Sequence, residues 1–183
     1  MIKAWIAADY LRLNPDPDRA RLDQLRIMIR DSNNAAAHEI FPLIGEDQSI
    51  RRLISICKLT DSSPYRTYWS NTAVSARDTA RMAACLGSGK AAGPKWTSWL
   101  LTEMRNVRGF GNFGIREALP PAVAAQTAIK NGWVYREADG NWHVACLAVG
   151  SGWTLGVLAR YPGHLGVTHG ADICTSVAAQ LMR

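Results

Sequence analysis

Hydroxyl, amide and amine groups come together in three short stretches of this 183-residue chain: Lys3, Ser32-Asn33-Asn34 and Lys130-Asn131-Gly132. A serine hydroxyl within reach of a lysine amine can hand it a proton, which is the chemistry of nucleophilic attack and of leaving-group protonation. Taken singly, Lys3 reads as a helix lysine that snorkels to water and Ser32 as a helix N-cap. Their order along the chain is what sets them apart.

Other chemical-looking motifs fail on context. Gly109-Phe-Gly-Asn-Phe-Gly114 fits G-x-G-x-x-G, but a dinucleotide loop needs a strand before it and a helix after it, whereas here a helix precedes and Pro120-Pro121 follows. The same stretch half resembles an aromatic RNA-binding strand, which Asn112 interrupts. Gly87-Ser-Gly-Lys90 lacks the earlier Gly and the following hydroxyl of a phosphate loop. His164 and His169 are five apart without the four-residue helical spacing of a zinc site, and His38 and His143 stand alone, so no metal is expected. The four cysteines, Cys57, Cys85, Cys146 and Cys174, form no C-x-x-C pair and are either buried thiols or disulfide partners.

The elements that must position these groups divide the chain in two. Trp5, Ile6, Tyr10 and Leu13 recur at helical spacing until Asn14-Pro-Asp-Pro17 stops them, and Asp18 caps a second helix with Leu22, Leu25, Met28 and Ile29 on one face and its arginines mostly in water. Further helices are predicted from Asn34 to Phe41, from Asp47, from the Ser75-Ala-Arg-Asp78 capping box and from Pro94. Beyond the Gly-rich loop three strands follow, Thr127 to Arg136, Trp142 to Val149 and Trp153 to Tyr161, joined by tight turns as an antiparallel meander. A last helix from Thr168 carries Ile173, Val177 and Leu181 toward that sheet.

Composition bounds the function classes. A 48% hydrophobic content suits one globular domain, and no apolar run approaches the roughly 20 residues of a membrane-spanning helix. The net charge of +6 is spread over scattered Arg and Lys, with no basic stripe interleaved with aromatics, so nucleic acid is not an expected partner. No charged n-region and apolar stretch of a signal peptide follows Met1.

In order and placement, Lys3, Ser32-Asn33-Asn34 and Lys130-Asn131-Gly132 resemble the S-x-x-K, S-D-N and K-T-G motifs of class A β-lactamases and penicillin-binding proteins. Ile129-Lys-Asn-Gly-Trp133, Trp142-His-Val144 and Arg160-Tyr-Pro162 are similar to an actinobacterial branch of these serine hydrolases, and the resemblance spans essentially the whole chain. It implies an α+β domain over residues 1–183, a helical part followed by a three-stranded meander and C-terminal helix, lacking the family's first helix and two strands. It also implies hydrolysis of an amide or ester, β-lactam-like or peptidoglycan-peptide-like, through an acyl-enzyme, with no cofactor.

The roles follow from the resemblance. Lys3 is the expected base, Ser32 the relay that protonates the leaving nitrogen, and Lys130 the positive charge for a substrate carboxylate and the group that acidifies Ser32. Asn34 holds a substrate carbonyl, Asn131 stands where a hydroxyl residue usually meets the carboxylate, Gly132 leaves room for substrate, and the Trp133 backbone N–H is an oxyanion donor. The nucleophilic Ser, three residues before the lysine in S-x-x-K, is expected immediately before Met1, so the chain as given is expected to be truncated and inactive. Asn33 replaces Asp, and residues 59–77, where a deacylating Glu is expected, contain none. That favours a slow hydrolase or a penicillin-binding, peptidase-like member. The competing expectation is a non-catalytic ligand-binding fragment. The implied partner is a small molecule or peptide bearing a carboxylate, met by a monomer outside the cytoplasm, where disulfides persist. The pairing so implied is Cys57 with Cys85 and Cys146 with Cys174.

Overall fold

Ten consecutive residues of the first helix, Ile2 to Leu11, are buried, and this decides the layout of the helical part. A helix apolar nearly all round has to be surrounded. In the computed structural model, which describes residues 1–65 and 68–182, α1 (Ile2–Leu13) is the axis against which α2 (Arg19–Arg30), α3 (Asn34–Leu43), α4 (Asp47–Cys57), α5 (Ala76–Gly87) and α6 (Gly93–Arg105) pack. Trp5 is fully enclosed, its indole N–H donating to the Ser49 carbonyl and hydroxyl at 3.0 Å.

The helix starts follow local chemistry. Asp18 accepts from the Arg21 backbone N–H, and Ser75 from that of Asp78. The Ser75 box is not reciprocal, because the buried Asp78 carboxylate instead gathers the Thr60 and Asp61 backbone N–H groups, the Ser62 hydroxyl and Arg81. At the third start the expected cap is corrected by one residue: Asn33, not Ser32, accepts from the Ala36 N–H at 2.8 Å. Pro42 lies inside α3, near its end. Arg30 and Arg26 of α2 do not simply face water but converge on the buried Glu103 of α6.

A short helix that the sequence pattern did not suggest, α7 (Pro121–Gln126), precedes the sheet. The meander is antiparallel as expected, but its first strand is divided into β1 (Ala128–Ile129) and β2 (Gly132–Arg136), both paired with β3 (Asn141–Gly150), which in turn pairs with β4 (Trp153–Pro162). The register does not slip across the division: Ile129 faces Ala148 and Gly132 faces Ala145, so Lys130-Asn131 lies in line with both pieces.

Two glycines bring helices onto opposite faces of the sheet. A Cβ on Gly156 would stand 2.7 Å from the Ala76 carbonyl oxygen and Ala80 nitrogen of α5. A Cβ on Gly170 of α8 (Gly166–Leu181) would stand 2.5 Å from the Tyr161 hydroxyl. Gly156 and Tyr161 are five apart on β4 and therefore on opposite sides of the pleat. The buried stripe of α8 is Gly170, Ala171, Cys174 and Ala178, while Leu181, expected on the sheet, is exposed. Small residues let the helix approach closely, and a stripe of larger ones lies at its margin. Both disulfides form as the resemblance implied: Cys57–Cys85 joins α4 to α5, and Cys146–Cys174 joins β3 to α8. No helix among the described residues is long and apolar enough to cross a membrane.

Candidate functional site

Lys3 and Lys130, 127 positions apart, meet at one serine oxygen. Lys3 Nζ donates to Ser32 Oγ at 3.2 Å, to the Ser32 carbonyl at 2.5 Å and to Asn34 Oδ1 at 2.6 Å. Lys130 Nζ lies 3.0 Å from the same Oγ and 3.3 Å from the Asn131 carbonyl. Lys3 is 4% exposed and Lys130 wholly enclosed.

Each partner is held from behind. The in-line register of β1 and β2 carries Lys130, whose backbone N–H donates to Leu147 O at 3.0 Å. The loop bearing Ser32 is pinned by Arg108, which pairs with Asp31 through two guanidinium nitrogens and donates its backbone N–H to Arg30 O. That hydrogen-bonded guanidinium holds the Asp31 carboxyl below its ordinary range. Ser32 itself has φ 55°, a left-handed conformation uncommon for a residue with a side chain.

Burial shapes the electrostatics. Desolvation lowers Lys3 from 10.5 to about 8. It lowers Lys130 to about 7, with the charge of Lys3 adding to the effect. The Met1 α-amine, which donates to Asn131 O at 3.2 Å, is also held well below its ordinary value by burial and by the two lysines. Amines face amines here. Among the described residues neither lysine is in an ion pair with a carboxylate, the arrangement in which one member readily gives up its proton.

A cavity of about 710 Å³ opens in front of this cluster, lined by Lys3, Ser32 and Asn34 on the helical side and by Asn131, Gly132 and Trp133 on the strand side. Lys130 lies behind Ser32. Because Lys130 bonds to β3, the alternation of an antiparallel edge turns the backbone groups of Asn131 and Trp133 outward, toward the cleft. A Cβ on Gly132 would stand 2.7 Å from the Met1 nitrogen, so glycine is what lets the start of α1 lie against this edge.

Two expected ligands point elsewhere with their side chains. The Asn131 amide is buried and donates to Gly111 O and Phe113 O at 3.1 and 2.7 Å. The Trp133 ring packs edge-on to Phe110 and Phe113. The Gly109–Gly114 stretch thus serves as a brace for the Lys130 strand. Sequence reasoning missed the opposite rim, where Tyr68 to Val74 line the cavity, the centre of the Trp69 ring lies 5.0 Å from Lys3 Nζ, Tyr68 stacks on that ring and His38 packs tilted against both. The cluster Tyr65, Tyr68 and Trp69 in an irregular segment was the available signal. Residues 59–77, where a deacylating Glu is expected, include Arg66 and Thr67, which lie outside the described residues.

No family model matches the sequence, nor does any curated protein. Solved structures do. A class A β-lactamase from Mycobacterium abscessus superposes with a TM-score of 0.74 at 11% identity, over all of this chain and 82% of that one. The TLA-3 extended-spectrum β-lactamase gives 0.73 at 14% over 100% and 83%. PBP-A gives 0.70 at 16% over 98% and 77%, and a PBP-A variant is known as its acyl-enzyme with penicillin G. With the lysine pair and serine brought together between a buried helix and a strand edge, the chain has the α+β fold shared by class A β-lactamases and PBP-A.

Proposed function

We propose that this chain belongs to the β-lactamase-related serine hydrolases and that its cleft binds an amide or ester substrate bearing a carboxylate, for acyl transfer outside the cytoplasm. The observation that carries the reading is the convergence of Lys3, Ser32 and Lys130 within hydrogen-bond reach. Accidental matches spread over some 130 residues have no reason to meet, and proton transfer from a hydroxyl to an amine to a leaving group requires that they do.

In this reading Lys3 takes the proton of a nucleophilic serine one helical turn before it, at the position preceding Met1, and Ser32 passes a proton to the leaving group. The Met1 nitrogen, 3.2 Å from Asn131 O, would bring that residue to the strand edge, where the outward Trp133 N–H serves the oxyanion. Lys130, when protonated, supplies the positive charge for the substrate carboxylate, and the Asn34 amide, already oriented by Lys3, offers its N–H₂ to a carbonyl. With no Glu in residues 59–77, deacylation is slow and the acyl-enzyme persists.

The test adds a Ser-containing segment before Met1 and follows labelling by a fluorescent penicillin and an activated ester. Rapid labelling of the extended protein at the added serine, lost on Lys3→Ala and weakened on Lys130→Ala, supports the reading. Equal labelling without Lys3 overturns it.

A further inference from the structure

The geometry points to Ser32 as an acylatable nucleophile in its own right, its hydroxyl proton passing to Lys130 while Lys3 remains an ammonium beside the forming bond. The inference rests on the proposed acyl-transfer reading of the cleft but assigns Ser32 a bond to the substrate carbonyl rather than a relay alone.

The distances within the cluster separate the two amines. Lys3 Nζ is held closest by two oxygens that can only accept, Ser32 O at 2.5 Å and Asn34 Oδ1 at 2.6 Å, with Ser32 Oγ farther away at 3.2 Å. Lys130 Nζ has Ser32 Oγ as its nearest oxygen, at 3.0 Å, with Asn131 O at 3.3 Å. A neutral amine there can donate to the carbonyl and still offer its lone pair to the serine proton. Ser32 Oγ then accepts from Lys3 and donates to Lys130, which satisfies a hydroxyl on both sides. Among the described residues it is the one hydroxyl placed between both amines, and it lines the cavity while Lys130 is enclosed behind it.

The other charged and titratable groups around the pair do not reverse this. Asp31 is taken by Arg108, Asp78 by Arg81 and the Thr60–Ser62 turn, and His38 packs tilted against Tyr68 and Trp69. The lowered values of Lys130, about 7, and Lys3, about 8, run in the same order as these contacts.

In the reaction Oγ bonds to the carbonyl carbon as its proton moves to Lys130. The C–N or C–O bond to the leaving group then breaks, and Lys130 returns the proton to that group. Water later cleaves the Ser32 ester, releasing the acid and restoring the hydroxyl. Both steps need only substrate and water.

The experiment uses the 183-residue chain with p-nitrophenyl acetate and a fluorophosphonate probe, and locates the adduct by peptide mass mapping. The expected adduct is on Ser32, with a rate that rises through pH 7 and falls above pH 8 and drops at least 100-fold in Ser32→Ala and in Lys130→Met. Ser32→Cys, which keeps the geometry, is expected to react with iodoacetamide faster than an unfolded control. Absence of any Ser32 adduct in the folded chain, or an adduct confined to another residue, overturns the inference. If the extended protein nonetheless labels at its added serine, the hydrolase reading survives; if neither serine labels, both fall.

Discussion

Two buried polar clusters hang from α1, one at Lys3 and one at Asp9, and they are built on opposite rules. The Asp9 carboxylate is completely enclosed and fully answered: Arg52 donates through Nε and Nη2, Arg12 through Nη2 at 2.5 Å, and Ser49 Oγ at 2.7 Å. Arg52 also donates to Ile44 O, tying the end of α3 to α4. Opposite charges and complete hydrogen bonding make that cluster a fastener between helices. The Lys3 cluster collects amines without a carboxylate and opens on a cavity. Folding alone has no use for such a cluster, since each amine costs desolvation and repels the next. The same helix thus carries one buried charge that is fully answered, as stability requires, and one left unanswered, which the proposed reading assigns to chemistry.

The contrast can be broken or sharpened by substitution, beginning with the strongest effect. Asp9→Ala leaves Arg52 and Arg12 without their counter-charge and is expected to lower unfolding free energy by about 3–5 kcal/mol in urea titration. Acyl labelling of the remaining folded protein should be unchanged. A loss below about 1 kcal/mol would remove the fastener role.

Lys130→Met is expected to move stability the other way, raising it by about 2 kcal/mol as an apolar side chain of similar length fills the enclosed site, while abolishing labelling at Ser32. Calorimetry on the same sample used for labelling checks both halves. A destabilised variant would mean that the amine cluster is itself structural.

The pH dependence of stability follows from the same burial. Lys3 and Lys130 titrate near 8 and 7 in the folded chain but near 10.5 when unfolded. Between about pH 7 and 10.5 the unfolded chain holds more protons, so their contribution to stability is lost as pH falls and grows as pH rises, by up to about 1.4 kcal/mol per pH unit for each lysine. Urea midpoints from pH 6 to 10 should rise for the natural chain and rise less for Lys130→Met. The expected smallest change is for Ser32→Gly, where relief of the left-handed backbone offsets the greater entropy of unfolded glycine, leaving stability within about 1 kcal/mol while labelling at that position vanishes.

Much of the scaffold was legible because its signals are local. Asp18 and Ser75 cap where a short oxygen side chain meets the first free N–H groups, and the turns at Asp139-Gly140 and Gly150-Ser-Gly152 join strands whose pairing the structure retains. The misplaced cap at Ser32 shows the limit. Asn33 can make the same bond one position on, and the loop geometry imposed by Arg108 from 77 residues away decides between them. Leu181 failed for a related reason: periodicity identifies an apolar stripe, but the close approach permitted by Gly170 and Ala171 determines which stripe is buried.

The sequence by itself determined the residue types available for chemistry, the order of helices and strands, and, through resemblance, the pairing of the four cysteines. Tertiary structure alone decided the roles within the site. Asn131 and Trp133 stand next to Lys130 in sequence, yet one amide and one ring turn to brace the Gly109–Gly114 loop while their backbone groups face the cleft. The proton affinity of each lysine was likewise beyond a one-dimensional reading. A lysine's charge depends on the water it has lost and on the amine placed beside it, and both are set only when α1 and the Lys130 strand close around Ser32.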